Sequence, residues 1–79
     1  MANQTIGTTA WESVTTTTAD TVFQNQSVNP MYLTTEATGS LTFDQGFYLA
    51  PNDAIVIASG KNVSAVAFRS DSELFYMAV

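Results

Sequence analysis

The spacing of β-forming residues constrains the fold of this chain more than any other feature of its sequence. No helical periodicity is sustained over a dozen positions, whereas β-branched and aromatic residues come in short bursts separated by Asn, Asp, Gly, Pro and Ser. This pattern is typical of an all-β domain. It predicts strands near residues 11–18, 21–26, 31–35, 40–43, 46–50, 54–58, 63–69 and 73–78.

Turn-forming residues separate these segments. Pro30 stands just before a strand, where its missing N–H does little harm, and Pro51 with Asn52 suits the centre of a turn. Short strands at this spacing predict a small antiparallel β-sandwich or jelly-roll-like barrel of about 7–8 strands. We expect residues 11–79 to form this single β domain and residues 1–10 to form a flexible N-terminal arm, because Ile6 is the one sizeable apolar residue among them.

The small size of the chain indicates that it needs support from outside its own core. A domain of 79 residues buries a smaller fraction of its surface than a larger one. The sequence contains no Cys and no His, which excludes disulfides and the common zinc sites as additional support. A partner subunit is the remaining expectation.

The charge balance excludes several kinds of partner. The net charge is -5, and the two cations, Lys61 and Arg69, are too few to form the basic cluster that nucleic acid or an anionic membrane requires. The N-terminal residues do not match a signal peptide, and apolar runs of about six residues are too short for a transmembrane helix. We therefore expect a protein partner, and no nucleic acid or membrane.

Several predicted strands are apolar on both faces. The segments "FYLA", "AIVIA" and "AVAF" and the final "LFYMAV" do not alternate with polar residues, so both of their faces are removed from water. Either loops and small Ala side chains mask the outer faces, or the outer positions contact another protein. Together with an arm that orders on a neighbour, the second interpretation gives these candidate interface residues: Ile6, Tyr48, Val56, Ala67, Phe75 and Met77.

The sequence offers little for catalysis. Without His or Cys, a hydroxyl nucleophile could be activated only by Lys61 or a carboxylate, and Lys61 lies in a predicted turn where an ordinary solvated ammonium is expected. Asp71 and Glu73 could bind calcium from one side of a strand, but a turn followed by a strand edge explains them equally well. We expect no enzyme activity and no catalytic, cofactor or metal site.

One segment resembles a known group of proteins. The stretch "YLAPNDAIVIASGKNVSAVA", residues 48–67, combines an aromatic residue, a Pro-Asn-Asp turn, alternating Ile55 and Ile57, and Gly60 before a second apolar strand. It resembles a segment of small β-rich virion proteins of tailed bacteriophages, which include capsid decoration or cement proteins. The match covers roughly a quarter to a third of the chain.

The resemblance implies a non-enzymatic virion structural protein without cofactors. It would be made in the host cytoplasm, sit on the capsid exterior, form a homotrimer and stabilise the shell by bridging subunits of a major capsid protein. Two alternatives stay open: a head-to-tail or tail accessory subunit, and a carbohydrate-binding β module of a spike. The last would need an exposed aromatic platform, for which Trp11 and Tyr32 are the candidates, although both are expected in the core.

Overall fold

The computed structural model describes residues 2–39 and 41–79, without the side chain of Asp44. These residues form an all-β domain in which every strand pairing is antiparallel. The strands are β1 (Ala2–Ile6), β2 (Glu12–Thr16), β3 (Thr21–Asn25), β4 (Met31–Thr34), β5 (Phe47–Leu49), β6 (Ala54–Ile57), β7 (Asn62–Ala67) and β8 (Ser72–Ala78).

The strands are arranged in two sheets with the order of a jelly roll. Sheet A has the order β1-β8-β3-β6, and sheet B has the order β2-β7-β4-β5. The pairs β1–β8, β2–β7, β3–β6 and β4–β5 are nested, as if one long hairpin had been folded over into two layers. The predicted sandwich with a jelly-roll arrangement is therefore confirmed.

The core lies between the two sheets and is entirely apolar at its centre. β3 shows the alternation expected of a strand with one face in the core, because Thr21, Phe23 and Asn25 are buried while the residues between them are half-buried. The ring of Phe23 stacks on that of Tyr76 in β8, with ring centroids 5.4 Å apart. The fully or almost fully buried cluster consists of Ile6, Phe23, Met31, Leu33, Leu49, Val63, Ala65, Ala67 and Leu74.

Residues 2–6 correct the predicted N-terminal arm. They form β1 at the edge of sheet A, in register with β8 from Ala2 opposite Tyr76 to Ile6 opposite Ser72. Ile6 is completely buried in the core. The sequence pattern did not indicate this strand, because an edge strand with a solvent-facing side has mostly polar residues, here Asn3, Gln4 and Thr5.

The strand predicted at residues 40–43 is also corrected. Ser40 lies outside the described residues, Leu41 and Thr42 are in irregular structure, and Phe43–Gln45 forms a short 3₁₀ helix. The N–H of Thr42 donates to the side-chain oxygen of Gln45, which begins that helix. The other predicted strands are present with boundaries shifted by two residues or fewer.

Within the described residues, no helix has the length and apolar character to span a bilayer.

Candidate functional site

The outer face of sheet A carries a group of solvent-accessible apolar side chains. Val22 of β3 lies opposite Met77 of β8 on one side and opposite Val56 of β6 on the other. Gln24 in the same way lies between Phe75 and Ala54. We call the five apolar members of these two rows, Val22, Ala54, Val56, Phe75 and Met77, the apolar face.

The apolar face is exposed to a degree that is unusual for such residues. Val56 is 59% exposed and Met77 is 42% exposed, while Val22 and Phe75 are half-buried. Strands are about 4.8 Å apart and alternate residues about 6.8 Å apart, so the Cα atoms of the two rows span roughly 10 by 7 Å. The five side chains therefore form one contiguous apolar patch, and contiguous apolar surface is the feature that distinguishes interaction sites from singly scattered apolar residues.

The apolar face is bounded by polar groups at one end. Glu73 precedes Phe75 on the same side of β8, and one carboxylate oxygen accepts a hydrogen bond of 2.7 Å from the hydroxyl of Thr5 on β1. No member of the two rows is charged. A protein surface could therefore cover these rows without burying an unpaired charge.

Three of the six predicted interface residues lie on this face. Val56, Phe75 and Met77 project from the outer side of sheet A, because side chains alternate between the two sides along β6 and β8. That they contact a partner stays a prediction. Leu74 and Tyr76, on the opposite side of β8, are directed to the core.

The other three predicted residues are not on the apolar face. Ile6 and Ala67 are corrections, because both are buried in the chain's own core and have no surface to offer a partner. Tyr48 is 50% exposed but lies on the outer face of sheet B, where it makes an edge-to-face contact of 5.7 Å with Tyr32.

The part of the outer face of sheet B around Val66 is masked by the chain itself. Val66 points outward opposite Tyr32, yet it is fully buried. Trp11 precedes the residue paired with Ala65, so the register places it beside Val66. The indole N–H of Trp11 donates to the carbonyl oxygen of Leu41 at 3.1 Å, and its ring meets Phe43 edge to face at 5.8 Å. The β4–β5 loop therefore covers this face, which is the masking considered for the doubly apolar strands.

A cleft of about 450 Å³ opens between the two sheets where the edge strands β5 and β6 are neighbours. Its apolar wall consists of Leu33, Phe47, Ile55 and Ile57, and Phe47 is 53% exposed. Phe47 was not among the predicted interface residues. Its position beside Tyr48 in a three-residue strand, with both faces apolar, was the available signal.

The described residues contain no group of three or more Cys, His, Asp or Glu side chains placed to hold a metal ion. One oxygen of Glu73, which the calcium alternative pairs with Asp71, accepts the hydroxyl of Thr5, and the expectation of no metal site stays a prediction. The chemistry that this surface offers is burial of apolar area. No protein-family model, curated protein or solved structure matches the chain.

Proposed function

We propose that the chain is a non-enzymatic structural protein of a tailed-phage particle, a capsid decoration protein that stabilises the shell by covering its subunits on the exterior. The observation that carries this proposal is the uncharged apolar face of sheet A, which none of the described residues of the chain covers. The phage assignment itself comes from the resemblance of residues 48–67, and the trimeric state implied by that resemblance stays a prediction.

The apolar face supports a role in assembly because exposed apolar side chains on a small soluble domain are costly unless a partner covers them. Met and aromatic residues, such as Met77 and Phe75, are enriched where proteins meet. A chain that binds assembled subunits and not their dissociated form stabilises the assembly by mass action. Reinforcement of a shell would need no further chemistry from this chain.

The fold is compatible with the proposal but does not select it. Jelly rolls occur in viral capsid domains and in lectins, so the fold gives only an analogy. The contacts of Trp11 weigh against it as the platform of a carbohydrate-binding module, because its N–H is already bonded to Leu41 and its ring packs on Phe43. The expectation that Tyr32 lies in the core is wrong, since it is half-buried on the outer face of sheet B beside Tyr48. A tail accessory subunit would use the same apolar face and is separated from a decoration protein by its location in the particle.

Particles of the phage that encodes the chain, purified with and without it, provide the test. We expect particles lacking the chain to release their DNA at a lower temperature, and added wild-type protein to bind them and restore the original temperature. Density for the chain on the outer capsid surface would identify it as a decoration protein. Density at the neck or tail would identify the accessory subunit instead, and absence from purified particles would contradict both.

Two matched variants locate the contact. Met77→Lys puts a charge on the apolar face, whereas Val28→Lys makes the same kind of change at a residue that is 88% exposed in the β3–β4 loop. Loss of a central apolar contact is worth about 1–2 kcal/mol or more, so Met77→Lys should weaken particle binding by roughly 5- to 30-fold or more. Equal binding by both variants would remove the apolar face from the proposal.

A further inference from the structure

The four edge strands of the sandwich differ in how they are protected from pairing with another chain. Natural edges are shielded by charges, bulges, Pro or short length. β2 has a register shift between Ser13 and Thr15, β5 has only three residues, and the described part of β1 is mostly polar. β6, Ala54–Ile57, has the sequence AIVI, with no charge and no Pro, and its pairing with β3 is regular.

The backbone groups of β6 that face outward can be identified from one hydrogen bond. The N–H of Asn25 donates to the carbonyl oxygen of Asp53 at 3.0 Å, and hydrogen-bonded and non-hydrogen-bonded pairs alternate along an antiparallel ladder. Ile55 and Ile57 therefore bond to β3. The N–H and C=O groups of Ala54 and Val56 point away from it, toward the open edge.

We propose that β6 pairs with β6 of a second copy, antiparallel and about a two-fold axis that places Val56 opposite its own counterpart. The two copies of sheet A, with four strands each, would then form one continuous sheet. In this register the two Val56 residues exchange hydrogen bonds through the outward groups, and each Ala54 lies opposite Ala58 of the partner subunit. The pairing goes beyond the proposed function and does not depend on it.

The charges at the two ends of β6 complement each other in this arrangement. Asp53 precedes the strand and Lys61 follows it in the next turn, and both are exposed. An antiparallel copy brings Asp53 to the end where Lys61 of the partner subunit lies. Asp20 is at that end too, and its carboxylate accepts the N–H of Ser59 at 3.2 Å. Lys61, one of two cations in a chain of net charge -5, thus offsets acidic groups where the copies meet.

The cleft beside β6 supplies apolar area for the same contact. Ile55 and Ile57 project from the inner side of β6 into the cleft, opposite the exposed Phe47 on β5. Continuing sheet A across the two-fold axis would bring the clefts of both copies together, so that each covers the other's apolar wall. A strand pair alone would fall short of the roughly 800 Å² per partner of a standard interface, and the clefts add to it.

The pairing also extends the apolar face. The row formed by Met77, Val22 and Val56 would continue directly into the same row of the second copy. A surface of twice the length would then be available to a third protein. A small hot-spot patch would thereby become a continuous strip that crosses the two-fold axis.

Cysteine cross-linking tests the pairing directly, because the chain has no Cys of its own. In Val56→Cys, the two Cα atoms would lie about 5.5 Å apart, within the range that a disulfide bridges. Met77→Cys is the matched control on the same face, two strands or about 10 Å farther from the axis. We expect mild oxidation to convert most of Val56→Cys, and little of Met77→Cys, into a covalent dimer. Equal yields for both variants would overturn the proposal.

Sedimentation measures the association of the chain without added cysteines. We expect a mass twice the 8.5 kDa of the monomer at micromolar concentration, in place of the three times that the resemblance implies. Ala54→Pro removes an outward N–H at the first position of the strand, which an edge tolerates, and should raise the dimer dissociation constant while preserving the β spectrum of the fold. Lys61→Glu should raise the dimer dissociation constant at least about threefold, and adding Asp53→Lys should restore it.

A monomer or a closed trimer with β6 unpaired would overturn the pairing and leave the proposed capsid function intact. Conversely, a dimer that is absent from phage particles would contradict the capsid function and leave the pairing intact. The Met77→Lys variant adds a cross-check, since it should remain dimeric while losing particle binding.

Discussion

Asn25 is the buried polar residue whose replacement should cost the domain most. Its side chain is fully buried, and its amide nitrogen donates to the carbonyl oxygens of Asn29 at 2.8 Å and Leu49 at 3.1 Å. Its amide oxygen accepts the N–H of Ser27 at 3.0 Å. One side chain thus fastens the β3–β4 loop to the end of β5. Asn25→Ala would remove all three hydrogen bonds and leave their partners unsatisfied.

The size of the effect follows from these contacts. Each hydrogen bond contributes about 0.5–1.5 kcal/mol net, so the three together amount to roughly 1.5–4.5 kcal/mol. At about 0.05–0.15 kcal/mol per residue, a chain of 79 residues has a total stability of roughly 4–12 kcal/mol. The substitution should therefore remove a large share of the free energy of unfolding.

Urea denaturation followed by circular dichroism measures this loss. With a slope near 1 kcal/mol per molar urea, the midpoint should fall by roughly 1.5–4.5 M. The adjacent Gln24→Ala is the control, because its amide makes only exposed contacts: it donates to the carbonyl oxygen of Asn52 at 3.5 Å and accepts the amide N–H of Gln26 at 3.1 Å. Their loss should change stability by about 0.5 kcal/mol or less. Equal midpoints for Asn25→Ala and the wild type, or equal losses in the two variants, would refute the assignment of stability to this network.

Two further substitutions test the corrected parts of the fold. A Cβ at Gly46 would lie 2.6 Å from the Trp11 ring, so Gly46→Ala should cost about 1–3 kcal/mol of stability and change the tryptophan fluorescence. A Cβ at Gly39 would meet nothing within 4 Å, so Gly39→Ala should leave stability and fluorescence unaltered. Identical spectra for the two variants would contradict the packing of the loop on sheet B. Ile6→Ala should lower the free energy of unfolding by about 2–5 kcal/mol, measured by heat or urea, because Ile6 is completely buried. Thr5→Ala, at an exposed position of the same strand, should lower it by only about 0.5 kcal/mol. No loss of stability in either variant would indicate that residues 2–6 are a flexible arm after all.

The sequence predicted most strands because their residues and turns carry local information. β3, for example, has β-branched and aromatic residues, and Pro30 comes directly before β4. β1 was missed because its stabilisation is non-local: Ile6 becomes a core residue only through pairing with β8, far away in the chain. Leu41 and Phe43 are apolar residues at alternate positions, which is the pattern of a strand. Their actual role, which is to pack with Trp11 over the outer face of sheet B, depends on a residue about thirty positions earlier in the chain.

The candidate site was predictable only in part for the same reason. Val66 and Met77 both stand at outward positions of strands that are apolar on both faces, and nothing in their local sequence distinguishes them. The first is covered by Trp11 and the β4–β5 loop, and the second has no such cover. A loop masks one outer face and not the other because of how distant segments of the chain pack. The alternation pattern could therefore name candidate interface residues, but it could not show which of them are masked and which are exposed.

The nested order of strand pairs has a consequence for how the protein is made on the ribosome. β8 lies between β1 and β3, so β1 has no partner strand and β3 has only β6 until residues 72–78 have been synthesised. At about 5–20 residues per second, the ribosome needs roughly 3–13 s to proceed from residue 6 to residue 72, longer than many small β domains need to fold. During that interval the core side of Phe23 lacks Tyr76 and the β8 edge of β3 is open. Slow translation of the last strand would therefore prolong the exposure of an aggregation-prone intermediate, although the mature protein would be unchanged.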